Sequence, residues 1–228
     1  MSLTVTVPEP AMSGHVEPTR DKPRLRGWLH AGMVPATIAA GTVLTTHAAG
    51  AAGKATCAIF VGTAIMLFGC SAVYHLGHWG PVGAAVLRRL DHSNIALVIA
   101  GTYTPLAVCG LQGSARTALL VTAWTGALAA IGVRVIWLNA PRWSYVPIYL
   151  ALGWAALAFL PTFWRTAEPA VVWLLFAGGL AYTVGAVVYA LKKPNPAPAW
   201  FGFHELFHVG TIAGFTCHLI AVWIVATP

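Results

Sequence analysis

Phe203-His204-Glu205-Leu206-Phe207-His208 opens the last apolar run of the chain, which extends over about residues 203–226. A run of that length is close to the ~20 residues that a bilayer core requires, and it reads as a transmembrane helix. Residues four apart on a helix share a face, so the spacing predicts that His204 and His208 point the same way. Ionisable groups within a membrane span are costly and tend to mark function. The pair therefore calls for partners from elsewhere in the chain.

The rest of the sequence fits a membrane setting. Of 228 residues, 58% are hydrophobic and 8% charged, against roughly 25% charged in soluble domains. The apolar runs do not alternate with polar residues, so a transmembrane β-barrel is excluded and an all-α integral membrane protein is expected. Ten tryptophans suit interfacial belts. Seven runs have spanning length, at about 28–46, 55–77, 90–111, 117–138, 145–164, 170–191 and 203–226. Turn-forming stretches such as Gly80-Pro81, Asn139-Ala140-Pro141 and Glu168-Pro169 separate them. Residues 1–22 lack an apolar stretch and are expected to form a disordered cytoplasmic tail. Residues 23–228 then form a single seven-helix transmembrane domain. No signal-peptide core precedes the first run, which is expected to stay as a helix.

Basic residues set the orientation. One alternating set of loops holds Arg20, Lys22, Arg24, Arg26, Arg88, Arg89, Arg134, Arg142, Lys192 and Lys193; the other holds Lys54, Arg116 and Arg165. This asymmetry predicts a cytoplasmic N-terminus and a multi-pass protein of the cell membrane. The net charge of +7 is spread over short loops, which suits anionic lipid as a partner. There is no basic amphipathic element for nucleic acid, and no feature encodes an oligomeric state. Cys57, Cys70, Cys109 and Cys217 lie in or at the ends of apolar runs without a CxxC, and read as buried thiols.

Three stretches share one end of the predicted bundle. The second span ends with Ser71-Ala72-Val73-Tyr74-His75-Leu76-Gly77-His78, the third begins with Arg88-Arg89-Leu90-Asp91-His92-Ser93-Asn94, and the seventh begins with His204 to His208. Alternation puts His75, Asp91, His204 and His208 at similar depth. Three imidazoles and an open position form the donor set of catalytic zinc, and such ligands favour zinc over magnesium or calcium. Zinc acidifies a coordinated water toward ~7, and a nearby carboxylate such as Asp91 suits proton transfer. Ser71 lies one turn from His75 on the same face. Asp91 has a competing role as a helix cap or as a partner of Arg88 or Arg89. His218 lies ten residues past His208, about 15 Å deeper, and suits a contact between helices. The bland reading of His30, His47 and His78 is hydrogen bonding or snorkelling near the interface.

The six opening residues also spell H-E-x-x-H, the zincin protease pattern with Glu205 as base, although no third histidine follows at metzincin spacing. Bis-histidine haem is served poorly by a pair on one helix. Retinal would need a lysine in the last span, and none is there.

Several stretches resemble bacterial hemolysin III proteins, within the wider progestin and adipoQ receptor superfamily that includes the adiponectin receptors. They are Lys22-Pro23-Arg24-Leu25-Arg26-Gly27-Trp28-Leu29-His30, Ser71-x-x-x-His75, Leu90 to Ile95 continuing to Gly101-Thr102-Tyr103-Thr104-Pro105, and His204 to His208 with Cys217-His218. The resemblance covers about residues 22–226. It implies seven helices, a cytoplasmic-side zinc site held by His75, His204 and His208, an aspartate at Asp91 that contacts the zinc-bound water, and a serine at Ser71. Relatives are linked to hydrolysis of ceramide-like lipid amides. The position of Glu205 is not always acidic in the family, which weighs against the protease reading. The expectation is a zinc-dependent hydrolase of a lipid amide or ester. The alternatives are a receptor or membrane-stress sensor with structural zinc and, lower, a pore-forming cytolysin or an intramembrane metalloprotease. Roles for Glu205, His92 and His218 stay open at this point.

Overall fold

The computed structural model describes residues 23–137 and 141–228, the Arg142 side chain excepted. The expected tail, residues 1–22, lies outside the described residues, as do Asn139 and Ala140 of one predicted break. The described chain is a helical bundle: α1 (Trp28–His47), α2 (Gly50–Leu76), α3 (Pro81–Gly110), α4 (Gly113–Ile136), α5 (Arg142–Trp154), a 3₁₀ turn (Ala155–Phe159), α6 (Leu160–Thr166), α7 (Pro169–Leu191) and α8 (Phe203–Ala226). The described residues hold no β-strand, only one bridge pairing Ala197 with Phe201.

Among the described residues, six helical stretches are long and apolar enough to cross a bilayer, the unit of α5, the 3₁₀ turn and α6 counting as one. The chain is therefore a multi-pass membrane protein. The remaining helix, α1, has 20 residues, a spanning length, but it is diluted by His30, Pro35 and His47. It packs chiefly on α2 and secondarily on α8.

Helix α3 organises the bundle. It packs against α2, α4, α5 and α8, and the stretch from Val98 to Ala107 is mostly buried. It begins nine residues before the expected start at 90, because Pro81 occupies its first turn, where a missing N–H and a fixed φ suit helix initiation. Arg88 and Arg89 thus lie inside a helix rather than in a loop. Asp91 is well past the first turn, which removes the capping role considered for it.

The fifth span departs from a continuous helix, and Tyr103 explains much of it. Its hydroxyl donates to Gly153 O and contacts Leu152 O at 3.3 Å, while the Ala156 N–H lies 3.4 Å from the same oxygen. A side chain inserted into the helical ladder, followed by Pro161, bends the span into α5, the 3₁₀ turn and α6. The hydroxyl also anchors α3 to this kink.

Helices α7 and α8 form the most extensive pair, and glycines let their backbones approach. A Cβ on Gly210 would stand 2.9 Å from both Ala181 O and Gly185 Cα, and one on Gly185 would stand 3.2 Å from Phe207 O. Close packing at small residues replaces the hydrophobic drive that is absent between helices in lipid. It also fixes the first turns of α8, where His204 and His208 lie.

Candidate metal centre

The end of α2, the first third of α3 and the start of α8 meet at one end of the bundle. His75 is in the last turn of α2, and His204 and His208 are in the first two turns of α8. Their nearest ring nitrogens all lie within 4.8 Å of one another. His204 Nε2 and His75 Nε2 are 3.1 Å apart. Two ligands each ~2.0–2.1 Å from a tetrahedral zinc stand about 3.3 Å apart, so the spacing fits one shared ion. His208 is buried, and its Nδ1 has no hydrogen-bond partner. An orphaned nitrogen in such a setting costs free energy unless something absent from the protein itself satisfies the ring. The donor set and its geometry therefore fit zinc.

Asp91 flanks this cluster. One carboxylate oxygen lies 4.0 Å from His75 Nε2 and 3.9 Å from His92 Nδ1. It is turned toward the histidines and makes no ion pair with Arg88 or Arg89 within 4.0 Å. Ser71, buried one turn before His75, presents its hydroxyl to the Asp91 carboxyl. All five residues expected at the site are thus brought together. His92 is its neighbour on α3: its Nδ1 lies 2.7 Å from Arg88 O, and its own carbonyl accepts from Tyr149 at 3.0 Å. His92 therefore links α3 to α5. His218 lies apart from the cluster, with Nε2 3.3 Å from Leu175 O, which agrees with a contact between helices.

Glu205 has a different role from its H-E-x-x-H reading. It is fully buried; one oxygen pairs with Arg26 Nε and the other accepts the Gly202 N–H at 2.7 Å. The second contact is the carboxylate half of a capping box, which the side-chain-less Gly202 leaves one-sided. The first ties the segment before α1 to the head of α8. Backbone bonds from Arg24 N to Ala199 O (3.0 Å) and from Leu25 N to Trp200 O (3.1 Å) fasten the same strap. A carboxylate engaged at both oxygens is not placed to take a proton from water.

The bland sequence reading of His30 is hydrogen bonding or snorkelling near the interface. Instead it is buried and stacked on His208, with ring centroids 3.7 Å apart and planes 12° apart. Both of its nitrogens are without hydrogen-bond partners. No spacing rule connects a residue on α1 with one on α8, so sequence reasoning missed the contact. Its only signal was a polar residue in an apolar run.

The cluster stands at the head of a cavity of about 360 Å³ that runs between α2, α3, α5, α7 and α8. Arg26, Arg88 and Tyr74 line one part, and Ile95, Ile99 and Trp154 another. His218 also lines it, so the cavity spans much of the distance between the two ends of α8.

Similar proteins agree with this architecture. The chain is 33% identical over 135 residues to a "Hemolysin-3 homolog" of Bacillus subtilis (strain 168), covering 59% of this chain and 62% of that relative. The match thus spans a little under two thirds of the relative's length. It is 30% identical over 158 residues to "Hemolysin-3" of Bacillus cereus, covering 69% of this chain and 70% of the relative. Residues 19–219 match the family described as Haemolysin-III related. With nearly the whole helical bundle inside that match, the chain belongs to the haemolysin-III-related family of multi-pass membrane proteins, within the progestin and adipoQ receptor superfamily.

Proposed function

We propose that this protein is a zinc-dependent hydrolase of an amide or ester bond in a membrane lipid, with its site at the cytoplasmic side. The observation that carries the reading is the juxtaposition of three imidazoles, an unpaired-with-arginine carboxylate and a largely apolar cavity at one end of the bundle. His75, His204 and His208 would hold the ion. When bound there, zinc supplies polarisation of a carbonyl and acidification of water. Asp91 accepts and returns a proton, and Ser71 orients its carboxyl. His30 holds the His208 ring by stacking on it. The apolar bore takes the acyl chain and limits bulk water around the reacting bond. The basic end of the bundle carries the site, which supports the cytoplasmic assignment.

The test is release of fatty acid from a panel of amide- and ester-linked lipids by protein in nanodiscs. Asp91→Asn is expected to lower turnover roughly 10²–10⁴-fold with zinc content unchanged. No release from any panel member by zinc-loaded wild type contradicts the reading.

A second reading has its own supporting observation. Helix α8 packs mainly on α7 and α3 and little on α2, so a metal shared by His75 and the α8 histidines would brace α2 to α8. In a receptor or stress sensor with structural zinc, Asp91→Asn would leave function intact and His208→Ala would unfold the bundle.

A further inference from the structure

The cavity wall carries a charge that the hydrolytic chemistry leaves unused. Arg88 lines the cavity from α3, half-buried, and no carboxylate of the described residues lies within 4.0 Å of its guanidinium. Neither nearby acid serves it: Glu205 is taken by Arg26, and Asp91 is turned to His75 and His92. A guanidinium in a partly enclosed cavity is poorly solvated, and its planar fork matches the oxygens of a carboxylate or phosphate.

The cavity face of α3 is also ordered. Arg88 comes first, then Asp91 and His92, then Ile95, Val98 and Ile99, at steps that keep them on one side of the helix. At 1.5 Å per residue, Arg88 stands about 4.5 Å from Asp91 along the axis toward the start of α3, and Ile99 about 12 Å from it in the other direction. The wall therefore changes from a cationic side chain through a carboxyl and an imidazole to apolar side chains along its length.

We infer that the cavity takes an amphiphile with an anionic head, whose carboxylate or phosphate pairs with Arg88 while its acyl chain follows the bore toward His218. The inference rests on the lipid reading of the cavity above. It adds that the negative group lies on the leaving side of the scissile bond.

Equilibrium binding to chelator-treated protein in phosphatidylcholine nanodiscs tests this without metal or turnover. Zinc content and fatty-acid release read the hydrolase proposal, and this assay reads only the head-group preference. The probes are N-dodecanoylglycine, dodecyl phosphate and the neutral N-dodecanoylglycinamide, each corrected for partition into empty discs. At least one anionic probe is expected to bind wild type about tenfold or more tightly than the neutral one. The tighter of the two anions identifies the head as carboxylate or phosphate. Arg88→Gln is expected to abolish the preference while neutral-probe binding persists. Arg88→Lys should retain part of it. Arg89→Gln, which removes the same charge from a neighbour that does not line the cavity, should retain all of it. Equal affinity of wild type for neutral and anionic probes overturns the inference, and so does an equal loss of preference in Arg88→Gln and Arg89→Gln. The wild-type comparison decides the matter even where a variant fails to fold.

Discussion

Glu205 shows how far a residue's meaning depends on what its neighbours leave it to do. In the sequence it sits between two histidines in a protease pattern. In the structure its oxygens go to Arg26 and to the Gly202 N–H, which makes it a fastener between the segment before α1 and the head of α8. Glu205→Ala would strand a largely buried guanidinium and an N-terminal amide, and is expected to cost about 2 kcal/mol. Thermal unfolding in nanodiscs should show a lowered Tm, smaller for Glu205→Gln, which keeps an acceptor for Gly202. Zinc per folded chain should be unchanged in both. An unaltered Tm with lost turnover would restore the role of general base. Asp91 and His75 were legible from the sequence because each is a polar residue at a predictable depth. The pairings Arg26–Glu205 and His30–His208 were not, because they join distant segments whose azimuth around the bundle the hydropathy pattern does not encode.

Helix count and order were legible because a bilayer forces apolar runs of spanning length. Helix ends were less so. Arg88 and Arg89 count with a loop when the third run is read from about residue 90, yet the helix begins at Pro81 and carries both. Arg134 was likewise assigned to a loop. It is buried on α4 with its guanidinium 4.4 Å from the Tyr145 ring centroid, a cation–π contact invisible to charge counting. The kink of the fifth span was hidden for a similar reason, since the hydroxyl that inserts into it comes from α3. The α7–α8 contact makes an element-scale prediction. Gly210→Leu would force a branched side chain against Ala181 O and the Gly185 backbone, displacing the first turns of α8. We expect a large fall in Tm together with reduced zinc content. Gly62→Leu, on a position with nothing within 4 Å of an added Cβ, should change neither. Equal effects of the two would show that the close approach is unimportant to the site.

At the scale of the whole molecule, the family membership and the bundle account for where the site must be. The alternation of spans puts the end of α2 and the starts of α3 and α8 on one side, and the excess of basic residues marks that side. The bundle then encloses a cavity whose head holds the histidines and whose bore is largely apolar. Sequence reasoning put the histidines, Asp91 and Ser71 at one end of the bundle, because periodicity and depth specify that much. It did not reach the cavity, which is a property of how α2, α3, α5, α7 and α8 fail to fill the space between them. The central claim is that His75, His204 and His208 share one metal ion. Metal analysis of the purified protein by mass spectrometry tests it most directly. Wild type and Asp91→Asn are expected to carry one zinc per chain, and folded His75→Ala and His208→Ala to carry little or none. Wild type without stoichiometric metal after growth and purification with zinc, or undiminished zinc in both histidine variants, would contradict it.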